Sequence, residues 1–172
     1  MLKLNDNEYG VFYKTYLDVL TQYSGSVTDI LEISYNEAIK VFNDIPIEKH
    51  MYAYEEGKWT IKELLQHLID TERIFAYRAL RFARKDATQL PGFEENDYVS
   101  NCNANHRNFS ELLVEFELVR KSTLVLFNSF TEQAMLQMGN ASNTPISVRA
   151  IGYIISGHLF HHLNIMKERY LK

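Results

Sequence analysis

Apolar residues recur along this chain at the spacing of amphipathic helices rather than at the alternation of strands. From about residue 8 to 23, Phe12, Tyr16, Val19, Leu20 and Tyr23 fall at helical intervals until Gly25 interrupts them, which predicts a peripheral N-terminal helix. A second stretch opens at Ser26 with Asp29 three residues on. It runs through Ile30, Leu31, Ala38, Val41 and Phe42 until Pro46 forbids continuation, and is the expected first bundle helix. After a Tyr-containing connection, about 45 to 59, Thr60-Ile61-Lys62-Glu63 forms a capping box. From there to about Lys85, Ile61, Leu64, Leu68, Phe75, Ala79 and Phe82 lie within about one third of a helix circumference. His67 lies at the edge of that stripe.

Asp86 to Asn108 contains Leu90-Pro91-Gly92 and many Asn residues, so it reads as a long loop with one short helix near Tyr98 to Asn105. Leu112, Leu113, Phe116, Val119, Thr123, Phe127 and Phe130 mark a third bundle helix. Gly139-Asn140 and Thr144-Pro145 break the chain before a last helix, roughly Ser147 to Leu171. The sequence therefore predicts an all-α fold, one domain over residues 1–172, with a four-helix core over about 26–171 and an extra N-terminal helix over about 8–23. Only 3 Pro and 7 Gly argue against many short strands joined by tight turns. The connections are too long to force antiparallel neighbours, which leaves crossover topologies open.

Composition adds exclusions. A hydrophobic fraction of 46% and a charged fraction of 23% are those of an ordinary globular chain, and no repeat or low-complexity segment is present. A net charge of -4 gives no overall field for a polyanion. Arg73, Arg78, Arg81, Arg84 and Lys85 crowd one predicted helix but spread around it and are diluted by Asp70, Glu72 and Asp86, so no nucleic-acid partner is expected. The lone Cys102 cannot form an intramolecular disulfide, and nothing beside it would activate its thiol. The N-terminal MLKLNDNEYG lacks the apolar run of a signal peptide, and no stretch approaches the roughly 20 apolar residues of a membrane span. A cytoplasmic protein without membrane insertion is the expectation.

The last helix holds the candidate chemistry. With His158 as origin on a helical wheel, Ile151, Ile154, Ile155 and Ile165 lie within about 60° and His162 at about 40°, so both imidazoles face the core. Residues four apart stand about 6 Å up the same face, close enough to converge on one ion at about 2.0–2.1 Å. A single core-facing histidine is more often a satisfied core residue than a ligand. Two such imidazoles in an apolar stripe need partners, and a metal satisfies both at once. His161, three residues after His158 and about 60° to the other side, competes for the role; the wheel angle favours His162, although spacing alone does not decide.

His67 shares a side of its helix with Thr71, Ile74 and Arg78, and the wheel leaves it undecided between ligand and interfacial histidine. Glu63 is turned back by its capping role and is a poor catalytic base. Asp70, three residues after His67, is either a hydrogen-bond acceptor for that imidazole or a solvated carboxylate.

Tyr54-Glu55-Glu56-Gly57-Lys58-Trp59-Thr60-Ile61-Lys62-Glu63-Leu64-Leu65-Gln66-His67-Leu68-Ile69-Asp70 resembles the signature of the DinB-like (YfiT-like) metalloenzyme superfamily. Gly157-His158-Leu159-Phe160-His161-His162 resembles its C-terminal histidine motif, and the similarity spans roughly residues 26 to 170. The resemblance implies a four-helix bundle of up-down-down-up topology with a divalent metal, zinc or nickel, held by His67, His158 and His162. It also implies a homodimer and a small-molecule substrate. Members with a known activity resemble S-transferases that use low-molecular-weight thiols such as bacillithiol, mycothiol or glutathione, or isomerases and hydrolases.

Three neutral imidazoles leave a divalent ion its full charge and an open position, where water would titrate near about 7 and a thiol would be deprotonated. Such a site suits hydrolysis or thiol transfer. The alternative is a non-enzymatic helical interaction module that the metal merely ties together. Arg78, three turns beyond His67 and about 20° away, is either an anchor for a substrate carboxylate or the partner of a carboxylate inside the bundle. Arg81 lies further round; Arg149 and His106 are weaker candidates.

Overall fold

Four long helices form where the apolar periodicity places them, and in the computed structural model, which describes residues 4–172, they enclose one continuous apolar core. Met1 to Lys3, the start of the N-terminal stretch considered above, lie outside the described residues. In chain order the elements are α1 (Lys14–Asp18), α2 (Val27–Asn43), α3 (Ile61–Ala83), α4 (Glu95–Asn101), α5 (Phe109–Asn128), α6 (Glu132–Met135), β1 (Met138–Ala141), β2 (Thr144–Ser147) and α7 (Val148–Ile165), which runs on into a wider π-type turn at Met166–Tyr170. The bundle is α2, α3, α5 and α7.

Local chemistry starts these helices where the sequence says. Ser26 Oγ accepts from the Asp29 N–H at 3.2 Å, and Asp29 accepts from the Ser26 N–H at 2.8 Å. The same reciprocal box opens α3, at 3.2 Å to Thr60 Oγ1 and 2.7 Å to Glu63 Oε2.

Cross-helix pairs give the topology. Lys62 donates to the Arg107 carbonyl at 2.7 Å and Arg120 to Glu72 at 2.8 Å, so α3 and α5 run parallel. Val27 abuts Gly152 and Ser34 donates to Ser156, so α2 and α7 are also parallel. Phe42 meets Phe109, whereas Arg120 donates to the Leu31 carbonyl, which makes α2 and α5 antiparallel. Tyr170 Oη donates to the Trp59 carbonyl at 2.9 Å, joining the end of α7 to the start of α3. The order is up, down, down, up.

Three local expectations are corrected. The helix expected over about 8–23 is α-helical only over Lys14–Asp18, with isolated turns at Asp6–Glu8 and Val11–Tyr13. Its buried side is Tyr13, Leu17 and Leu20, whereas Phe12 is 53% exposed. Tertiary packing shapes this segment: a Cβ at Gly157 would come 2.1 Å from the Tyr16 carbonyl oxygen, so only glycine on α7 lets the backbone approach.

The short helix expected near Tyr98 to Asn105 begins earlier, at Glu95, and stops at Asn101, because Asn103 takes a left-handed φ of 56°. The break before α7 contains an antiparallel hairpin, β1 paired with β2. Ser142 and Asn143 both have positive φ, 54° and 59°, as a two-residue type I′ turn requires. Leu90 bonds this hairpin through Asn140 O and the Ser142 N–H, so the loop after α3 is fastened to it. Among the described residues no helix is long and apolar enough to cross a membrane.

Inside the bundle, Arg120 donates to both Glu72 carboxylate oxygens at 2.8 Å, to the Leu31 carbonyl at 2.6 Å and to Ser34 Oγ at 2.9 Å. Removing one member strands the other charge in a low dielectric. Arg120→Met should therefore cost about 3–5 kcal/mol in chemical denaturation. A loss under about 1 kcal/mol would mean that the pair behaves as a solvated surface bridge.

Candidate metal centre

The antiparallel contact of α3 with α7 brings an early residue of one against late residues of the other. His67, on the second turn of α3, meets His158 and His162, one turn apart on α7. Their Nε2 atoms point at one another: His67 to His158 is 3.0 Å and His162 to His158 is 3.1 Å. His67 and His158 are 5% and 6% exposed, and His162 is partly exposed.

This arrangement does not satisfy itself. A neutral ring nitrogen is either one donor or one acceptor, so His158 Nε2 forms a proper hydrogen bond with only one of its two neighbours. Burial lowers the His67 pKa to about 4 and that of His162 to about 3, the latter helped by the charge of the neighbouring imidazoles. Burial, then repulsion from His162, His67 and His161, places His158 well below 6.5. All three rings are thus neutral near pH 7, the form in which imidazole binds metals. Tetrahedral ligation at about 2.0–2.1 Å would set the nitrogens about 3.3 Å apart, close to the 3.0 and 3.1 Å of the two pairs that His158 makes. Among the described residues this is the group of three whose ligand atoms all lie within 4.8 Å and could hold a metal ion.

Aromatic rings wall the cluster. Trp59, just before α3, lies 4.7 Å from the His67 ring and stacks at 6.4 Å on His162, its Nε1 donating to Asn96 Oδ1. Tyr16 packs edge-on at 5.3 Å against both His158 and His161. Two cavities reach the cluster. One of about 390 Å³ opens on His162 beside Trp59, Lys58 and Tyr170. The other, about 350 Å³, opens on His158 beside Tyr13, Thr71, Phe75, Arg78 and Phe93.

The structure brings His67, His158 and His162 together and leaves His161 on the flank, facing Tyr16. Glu63 bonds the Thr60 N–H and Asn105, as its capping role requires. Asp70 accepts from Gln66 and pairs with Arg73, so it does not orient His67. Arg149 is bound to Glu8, whose carboxyl it holds at about 2, and this pins the N-terminal segment to the start of α7. His106 and Cys102 lie in the α4–α5 connection, outside the cluster. Arg78 lines the chamber on the His158 side. Among the described residues it forms no ion pair with a carboxylate inside the bundle: it donates to the Pro91 carbonyl and Ser142 Oγ, with the Tyr13 hydroxyl and the exposed Glu95 also acting on it. Sequence reasoning missed Tyr16 as a wall of the site, because the first segment's path over α7 depends on Gly157.

The family model of the DinB superfamily matches residues 30–166. Among solved structures, YfiT from Bacillus subtilis, described as a probable metal-dependent hydrolase with an unusual four-helix bundle topology, matches with a TM-score of 0.67 at 14% identity. The match covers 97% of this chain and 90% of that one. No curated protein matches the sequence.

The depressed imidazole pKa values predict acid sensitivity. Unfolded imidazoles titrate near 6.5, while His67 waits until about 4 and His162 until about 3. Below about 6.5 the unfolded chain binds more protons, so stability of the metal-free protein should be level above that pH and fall as pH drops toward 4. Thermal melts across that range should show this decline, made shallower by His67→Gln. An unchanged decline in that variant would contradict the assignment.

Proposed function

The chain belongs to the DinB superfamily, and on that premise we propose that it is a metal-dependent enzyme whose His67, His158 and His162 hold one divalent cation, zinc or nickel. The observation that supports this most is the convergence of three neutral Nε2 atoms, from two buried imidazoles and one partly exposed one, that cannot satisfy one another. When bound there, the cation would supply Lewis acidity that makes water or a small thiol nucleophilic at neutral pH. The substrate is then a small molecule, since cavities of about 350 and 390 Å³ fall at the low end of ligand pockets.

The chain's own residues hold and shield. The imidazoles stay unprotonated because they are desolvated, Trp59 and Tyr16 cover their faces, and Glu63 is committed to its helix cap. Among the described residues no carboxylate joins the three imidazoles to act as base, so activation falls to the cation. Hydrolysis accords with the description of YfiT; thiol transfer accords with a site of three neutral ligands and two flanking cavities, one for each reactant.

The alternative of a purely structural metal is less well supported. Structural zinc is closed by four protein ligands, and three meet here among the described residues.

His158→Ala tests the reading. Metal content by elemental analysis should fall from about one ion per chain to background. Turnover of a general electrophile with small thiols, or of simple esters and amides, should vanish with it, while helical circular dichroism persists. Full activity in the variant would refute the proposal.

A further inference from the structure

The chamber on the His158 side has polar groups that the metal chemistry leaves unused. Arg78 is 3% exposed, yet its acceptors are neutral: the Pro91 carbonyl at 2.8 Å and Ser142 Oγ at 3.2 Å. Both bonds use Nη2; the Tyr13 hydroxyl also acts on the guanidinium, and of its five N–H donors some remain for another partner. Arg120, in the same bundle, instead takes both oxygens of Glu72. The Arg78 guanidinium lies over the Phe75 and Phe93 rings, so it is fixed in place by packing.

Thr71 supplies a second, independent observation. It is 4% exposed and its Oγ1 has no hydrogen-bond partner, whereas Thr123 on α5 returns its hydroxyl to the Val119 carbonyl at 3.0 Å. Thr71 lines the chamber together with Arg78 and His158. Behind it a void of about 10 Å³, shared with Glu72, Arg120 and His158, has room for one water. A hydroxyl offers one donor and two acceptor sites, so such a water does not exhaust it.

His67, Thr71 and Arg78 follow one another along one side of α3, at about 6 Å and then about 10.5 Å further along the axis. Arg78 and His158 line the same chamber, so the guanidinium and the histidine cluster face one space. Resting on the metal-site reading, we propose that this chamber recognises a small monocarboxylic acid at three points. The carboxylate pairs with Arg78, a polar group midway along the ligand bonds Thr71, and the opposite, reactive end meets the histidine cluster. Tyr13, Phe75 and Phe93 enclose the apolar body. Glu94 and Glu95, exposed residues of the same lining, disfavour anions in proportion to their charge, so a single carboxylate is tolerated best, and it competes with Glu95 for Arg78.

The probe is N-(mercaptoacetyl)-β-alanine, which has a thiol, a central amide and a carboxylate, compared with its neutral terminal carboxamide. Thiolate binding to the cobalt-substituted protein is read from the sulfur-to-cobalt charge-transfer absorption. The acid should bind roughly 10- to 100-fold tighter than the carboxamide, the range expected for a charged hydrogen-bonded pair. Arg78→Met should erase that preference with cobalt uptake unchanged, and Thr71→Val should weaken both probes about 3- to 10-fold alike. Equal affinity of the two probes for the unmodified protein overturns the proposal without any variant having to fold. A preference that survives Arg78→Met also overturns it. Failure of the protein to take up cobalt would instead remove the metal-site reading, and this proposal with it.

Discussion

Three imidazole nitrogens occupy one small space in which no arrangement of their own protons satisfies them all. That constraint organises the molecule. Burial keeps the rings neutral, the packing of α3 against α7 keeps them close, and the mutual contacts of 3.0 and 3.1 Å make a shared cation the simplest satisfaction.

The up-down-down-up topology is what makes the meeting possible. Running α3 antiparallel to α7 sets the second turn of one against the closing turns of the other. The Thr60–Glu63 box fixes the rotation of α3 at its start, and the buried Glu72–Arg120 pair ties α3 to α5 one turn beyond the site. Gly157 has a separate part: lacking a side chain, it admits the N-terminal segment, which lays Tyr16 against His158 and closes one wall. The loop after α3, fastened through Leu90 to the hairpin, brings Pro91 and Ser142 to Arg78.

The helices of the bundle are legible in the sequence because their signals are local: a capping pair at Ser26, a box at Thr60, and apolar stripes of period 3.6. His158 and His162 are legible for the same reason, since one helix sets their relation. The wheel cannot place His67, because which face of α3 meets α7 follows from crossovers that are not local; there the family resemblance supplies what periodicity does not. The N-terminal segment misleads since its apolar spacing imitates a helix while its path is set by contact with Gly157. The hairpin is hidden by a Ser-Asn turn without glycine and a proline in its second strand, both weak strand signals. Arg78 reads equally as anchor or ion-pair member until the Pro91 and Ser142 contacts are known.

X-ray absorption spectroscopy of the zinc-loaded protein is the decisive measurement of whether the three imidazoles share a cation, for it reports the kind and number of atoms around the ion. Three imidazole nitrogens should appear at about 2.0–2.1 Å, with their ring scattering, completed by a light exchangeable ligand and no sulfur. A shell with fewer than three imidazoles, or with cysteine sulfur at about 2.3 Å, would contradict it.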